Sequence, residues 1–283
     1  SEEYRTTLKQ QLAAGARSFA AARQAAVQAL CPGSDVAALL DKPNNNLAVE
    51  YCKAIIEQNV EMQPIALPRQ GADHGQALTE SAHAAFASAS ALRALWAEDS
   101  AAALAPYVPE KALKLYIQAK YDGKYTDFAV MGHCELALLR AACAGQAPFA
   151  AVRGVSEGLE HRLENAVRET ASLPTLLDAL TTVRYPRARM RRLAMDAALG
   201  YTAQTPALPP YLHLLGARKE ALPLPGETAL PLSHSLARLA RENETCAQMA
   251  AAQSRASDLG ALCRAKPEPM GGIYRQKIIF LTN

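Results

Sequence analysis

The sequence predicts an incomplete α/β unit followed by a mostly helical domain, and three observations lead there. Apolar residues recur at steps of three and four through the first thirty positions, residues 62–70 alternate apolar with polar, and from about residue 101 one helical pattern follows another. At 283 residues the chain is long enough for one or two cores. Half of it is apolar and only 6% aromatic, a globular composition with an alanine-rich, helical accent.

Residues 3–30 read as one long helix, with Leu8, Leu12, Gly15, Phe19, Ala22, Ala26 and Leu30 on a narrow stripe. Cys31-Pro32-Gly33 ends it, because proline cannot continue a helix and glycine accepts a positive φ. Pro43 and three asparagines form a polar turn ahead of an amphipathic helix over 46–58. MQPIALPRQ, 62–70, reads as a short strand whose prolines favour a sheet edge. The loop GADHGQ follows, then a serine-capped helix in SASALRALWAED with Leu92, Leu95 and Trp96 at helical spacing.

The change of texture at 101–108 divides the chain into domains 1–105 and 106–283. Helices are expected at 109–121, 126–144, 156–170, 173–182 and 186–200, the fourth opened by Ser172 and Pro174. Past 201 the chain is proline-rich, with one or two short strands, a last helix over 242–263 and a terminal strand in QKIIFL.

Several function classes are disfavoured. The six cysteines form no C-x-x-C pair, which speaks against a zinc site or a disulfide framework and for reduced thiols in a cytoplasmic protein. The six histidines are scattered and no metal ligand stands out. No apolar run approaches the roughly 18 residues of a membrane span. A net charge of +3 is too small to imply a nucleic-acid partner unless the charge is clustered.

It is clustered in RYPRARMRR, with five arginines in nine residues. On a helix, Met190, Leu193, Ala194, Ala197 and Tyr201 share one side, leaving Arg187, Arg189, Arg191 and Arg192 on an outer arc and Arg184 on the approach. A solvated helix face explains such an arc, since arginine stems cover apolar neighbours. So does a phosphate-binding surface: arginine is used without a single lysine, few carboxylates lie nearby, and Tyr185 offers a ring for stacking. The residues alone leave both open.

SEGLEHRLENAV (156–167) followed by TVRYPRARMRR (182–192) resembles the C-terminal region of the bacterial tRNA(Met) cytidine acetate ligases. KPNNNLAVEYCKAI (42–55), ALPRQGADHG (66–75), FASASALRALW (86–96), RASDLGALC (255–263) and GGIYRQKII (271–279) are similar to further segments of that family, in the same order. The resemblance implies a nucleotidyltransferase-like, Rossmann-like α/β domain followed by a helical one. It implies an enzyme that activates acetate with ATP as acetyl-adenylate and passes the acetyl group to N4 of the wobble cytidine of elongator tRNA(Met), Mg²⁺ accompanying the ATP. Carried over by position, Asn44, Arg69, Ser88, Ser90 and Arg93 contact ATP, although Ser88 and Ser90 read equally well as helix caps. Arg184, Arg187, Arg189, Arg191 and Arg192 contact tRNA.

Departures accompany the likeness. The family's H-x-G-H motif has no counterpart in these 283 residues, Gly260 and Ile273 stand where the family has a tyrosine and an aspartate, and Asn46 replaces an apolar residue. The expectation is therefore a chain that is a fragment or a degenerate relative, without a catalytic residue of its own to assign and inactive in adenylation by itself. The alternatives are a non-catalytic tRNA- or RNA-binding relative, a nucleotidyltransferase of another substrate class, and a helical scaffold whose arginines meet a partner protein.

Overall fold

The computed structural model describes residues 1–16, 19–41, 43–67, 87–98, 101–218, 220 and 228–281. They fall into two compact units, Ser1–Leu113 and Lys114–Asn283.

In the first unit the expected long helix is two: α1 (Glu2–Ala13) and α2 (Phe19–Leu30), packed on one another. Gly15 has φ +83°, a left-handed conformation that ends a helix at little cost for glycine, and the apolar stripe turns inward at Ala22 and Ala26. After the short α3 (Asp35–Ala38) and a 3₁₀ turn at Leu39–Asp41 comes α4 (Pro43–Glu57). The asparagines expected in a turn occupy the first turn of α4 instead, with proline as its opening residue. Asn46 donates to the carbonyl of Leu40 at 2.8 Å, which accounts for a polar residue at an apolar position. Arg23 on α2 and Glu50 on α4 pair at 2.7 Å.

The strand expected at 62–70 is not formed by its described residues: 61–67 carry no ladder, and 68–70 lie outside the description. Pro64 and Pro68 each remove a backbone donor that pairing would need. Helix α5 (Ala89–Ala97) begins where the serines predict, with the Ser88 hydroxyl accepting from the Ala91 amide at 3.2 Å. The short α6 (Ala101–Leu104) follows.

Helix α7 (Glu110–Tyr121) leads into the second unit, whose core is built by α8 (Phe128–Ala142), α9 (Leu159–Glu169), α10 (Leu173–Leu180) and α11 (Arg187–Ala198). Leu139, Phe149, Leu163, Val167, Leu176, Leu180 and Met190 are almost wholly buried there. Asp127 caps α8, accepting from Ala129 N at 2.9 Å and Val130 N at 3.1 Å, and Ser172 caps α10. Beyond α11, the parallel two-residue pair β1 (Leu212–His213) with β3 (Leu232–Ser233) joins α12 (Leu236–Leu239) and α13 (Glu244–Leu262) around Tyr211, Leu236, Leu239, Cys246 and Ala250. After α14 (Gly272–Arg275), the terminal strand β4 (Ile279–Leu281) forms as expected and pairs in parallel with β2 (Gly216–Arg218).

Candidate nucleic-acid interface

Pro186 stands at the N-cap of α11 with extended φ and ψ, and the helix buries Met190, Leu193, Ala194 and Ala197 as the spacing predicts. Tyr201 does not extend that face. The helix stops at Ala198, Gly200 takes φ +68°, and the Tyr201 hydroxyl donates to the Ala252 carbonyl at 3.0 Å.

Four of the five arginines are exposed: Arg184, Arg187, Arg191 and Arg192, with Arg189 partly covered. None is pressed into the interior, but two are engaged. Arg184 pairs with Glu157, and Arg187 pairs with Asp178. Both pairs are solvated, with Arg184 69% and Asp178 68% exposed, so each is worth at most about 1 kcal/mol and exchanges readily for another anion. Arg189 reaches toward the Gly154 carbonyl at 3.5 Å. Arg192 has no hydrogen bond or ion pair among the described residues.

Tyr185 is less available than the sequence implies. Arg184 and Arg189 lie 5.7 and 5.1 Å from its ring centre, and its hydroxyl donates to Glu157 at 3.1 Å. It is a spacer between guanidiniums rather than a free stacking platform. Glu157 itself has φ +56°, an uncommon conformation for a side-chain-bearing residue, and is followed by Gly158 at φ +79°. This left-handed pair is what turns the chain so that Glu157 faces residues 27 and 28 positions on. No local spacing in the sequence marks it.

The same unit holds a second set of arginines with a different job. Arg140 on α8 donates to Thr170 O at the end of α9 (2.8 Å), and Arg168 on α9 donates to Cys143 O at the end of α8 (3.3 Å). Arg162 on α9 donates to Ala179 O in the last turn of α10 (2.7 Å), and Arg255 on α13 to Leu199 O at the end of α11 (3.1 Å). Each satisfies a carbonyl that a helix end leaves open and sets a cation at the negative end of the dipole. Arg153 grips Asp196 with two hydrogen bonds of 2.7 Å, which hold its guanidinium above its ordinary pKa, and lies 4.9 Å from the Tyr201 ring.

Beside α11 is a cleft of about 530 Å³ bounded by α8 and α10, with Arg187 and Arg191 among its lining. Glu135 on α8 also lines it, 1% exposed, with neither carboxylate oxygen hydrogen-bonded among the described residues. Burial pushes its pKa from 4.5 up to about 7, and the Arg191 charge only partly opposes this. Sequence reasoning missed Glu135, because on α8 it sits among apolar residues like any core position.

Around the residues that the family resemblance assigns to ATP, the structure is sparer. Asn44 is exposed in the first turn of α4 and Arg93 is exposed on α5, while Arg69 lies outside the described residues. Ser88, 4% exposed, spends its hydroxyl on the helix cap and lies 3.0 Å from the Ser90 hydroxyl. The chemistry of that turn, with open amides at a helix start and an arginine one turn on, fits a phosphate; the Ser88 hydroxyl is already committed. Among the described residues no cluster of three metal-ligating side chains occurs, and no helix is long and apolar enough to cross a membrane.

Residues 1–270 match the profile of a family described as HIGH nucleotidyl transferase. The chain is 30% identical over 183 residues to the tRNA(Met) cytidine acetate ligase of Listeria monocytogenes serotype 4b (strain CLIP80459), which covers 64% of this chain and 45% of that protein. It is 27% identical over 203 residues to the tRNA(Met) cytidine acetate ligase of Thermoanaerobacter sp. (strain X514), covering 71% of this chain and 48% of that one. The chain thus spans about half the length of the curated relatives it matches. Two crystal structures of Thermotoga maritima TmcAL, one apo and one bound with alpha-thio ATP, superpose with TM-scores of 0.83 and 0.82 at 21% identity, over 100% of this chain and 71% of theirs. That likeness carries the fold expected from the sequence, a nucleotidyltransferase-like α/β arrangement with a helical part.

Proposed function

This chain belongs to the HIGH nucleotidyl transferase family, and from that premise we propose that it serves an ATP-dependent tRNA ligase, its Lys114–Asn283 unit holding the RNA. The finer reading is N4-acetylation of the wobble cytidine of elongator tRNA(Met), with acetate as the small substrate. ATP, accompanied by Mg²⁺, would supply the activation of acetate when bound. Support comes from the curated relatives, which carry the name tRNA(Met) cytidine acetate ligase, and from the neighbour bound with alpha-thio ATP.

The observation that carries the RNA side is the outer arc of α11. Arg191 and Arg192 are exposed, and Arg184 and Arg187 are held by solvated ion pairs that a phosphate displaces at small cost, Arg184 also lying over the Tyr185 ring. Met190, Leu193 and Ala194 fix that arc to the core, so the guanidiniums are presented from a rigid element. On the ATP side, Asn44, Arg69, Ser88, Ser90 and Arg93 are the proposed contacts, with Arg93 and the amides of the α5 start toward phosphate.

Binding of elongator tRNA(Met) across a salt series tests the RNA side. Neutralising four or five phosphates gives a slope of log K against log salt of roughly −3 to −5, and Arg187→Ala with Arg191→Ala flattens it by about 1 to 2. Salt-independent binding, or binding that survives all five arginine replacements, refutes it. Acetate-dependent exchange between ATP and pyrophosphate tests the adenylation side separately.

A further inference from the structure

Glu135 is not explained by packing. A buried carboxyl with two unsatisfied oxygens weakens the fold, and a leucine of similar size would not. Groups of this kind persist where they meet a ligand. The cleft around it states the ligand's chemistry. Phe128, Leu173 and Leu177 give apolar walls suited to a flat ring, and Arg187 and Arg191 supply cations for a phosphate attached to that ring. Two acceptor oxygens side by side call for two adjacent N–H donors. Among the neutral RNA bases, guanine alone presents that pair on one edge, at N1 and the 2-amino group.

We infer that this cleft takes the base of an unpaired guanosine in RNA, with Glu135 receiving N1–H and N2–H and Arg187 and Arg191 holding the adjoining phosphates. The inference rests on the reading of α11 as an RNA surface. The carboxyl lies beneath the cleft floor in the free protein, and a rotamer change of the ordinary kind exposes it on binding. The bidentate contact needs the ionised carboxylate, so binding releases a proton when Glu135 begins protonated. The ionisable groups lining the cleft are His133 on α8 and Arg187 and Arg191 on α11, while the α10 lining of Ser172, Leu173, Pro174 and Leu177 contributes none.

Calorimetric titration of the chain with GMP, IMP, AMP and UMP tests it. GMP binds, and IMP, which lacks only the 2-amino group, binds at least tenfold more weakly, because a site built for two donors rejects the analogue with one. AMP and UMP bind more weakly still. GMP affinity rises about tenfold from pH 6 to pH 8, as the carboxyl with a pKa of about 7 ionises. Glu135→Gln loses at least tenfold in GMP affinity while its Tm stays level or rises, which a purely structural role does not produce. Equal affinity for GMP and IMP, or full GMP affinity in Glu135→Gln, overturns the inference. A single-stranded pentanucleotide with one central guanosine binds more tightly than GTP; the reverse order overturns RNA as the source. If guanine selectivity is absent while tRNA binding keeps its salt slope, the cleft assignment alone fails. Loss of both removes the RNA surface as well.

Discussion

The two units bury very different material. In Lys114–Asn283, α8 to α11 close over leucines, a phenylalanine and a methionine that are almost wholly buried. In Ser1–Leu113, the buried apolar side chains among the described residues are Ala22, Ala26, Leu40 and Leu104, while Ile56, Ile65 and Leu67 stand 77%, 80% and 88% exposed. Buried apolar area is the main favourable term in folding, so the difference assigns stability to the second unit and surface for further contact to the first. It also explains where function is legible. A basic arc aimed by a closed core has a defined geometry, whereas Asn44 and Arg93 are presented by helices whose packing is shallow.

The largest effect that sharpens this contrast is a core truncation. Leu163→Ala, at a fully buried position, costs about 3 kcal/mol in denaturant unfolding, whereas Leu67→Ala at its exposed position costs under about 0.5 kcal/mol. Equal costs would erase the distinction. Next comes pH. A carboxyl whose pKa is raised from 4.5 to about 7 contributes stability below about pH 4.5 that disappears as pH rises through 7. The second unit should therefore be less stable at pH 8 than at pH 5 by about 2 to 3 kcal/mol from Glu135 alone, and Glu135→Leu should remove that slope in thermal melts. A smaller effect is expected at Arg153→Ala, which leaves the largely covered Asp196 without its two hydrogen bonds at a cost of about 1 kcal/mol. The smallest belongs to Arg192→Ala. With no hydrogen bond or ion pair among the described residues to lose, it shifts stability by less than about 0.5 kcal/mol, yet it should lower the steepness of the tRNA salt slope by about 1.

Much of the helical unit was written in local pattern. Ser172 with Pro174, the Met190 face and the last helix all follow from caps and periodicity, which are short-range signals. What was hidden is what depends on distant partners or on backbone conformation. The break at Gly15 was masked by an apolar stripe that continues across it. The run at 62–67 alternates like a strand but finds no ladder. Asn46 departs from the family pattern, and its reason, the Leu40 carbonyl that accepts from its side chain, is visible only in three dimensions. The cluster of five arginines in nine residues stands out from the sequence, but nothing in the spacing distinguishes the loosely held Arg191 and Arg192 from Arg140, Arg162 and Arg168, which are bound to helix ends. Glu135 was hidden for the opposite reason, because it occupies a core register.

The arginine caps have a consequence for how this unit comes apart. Helices α8 and α9 each close the other's carboxyl end, α9 also closes α10, and α13 closes α11. No one of these helices can fray at its C-terminus without stripping a donor from a neighbour or losing one supplied by it. The network ties local openings into a joint event. Amide hydrogens in the last turns of α8, α9 and α10, which in most helices exchange early, should instead trade with solvent on the timescale of the whole bundle.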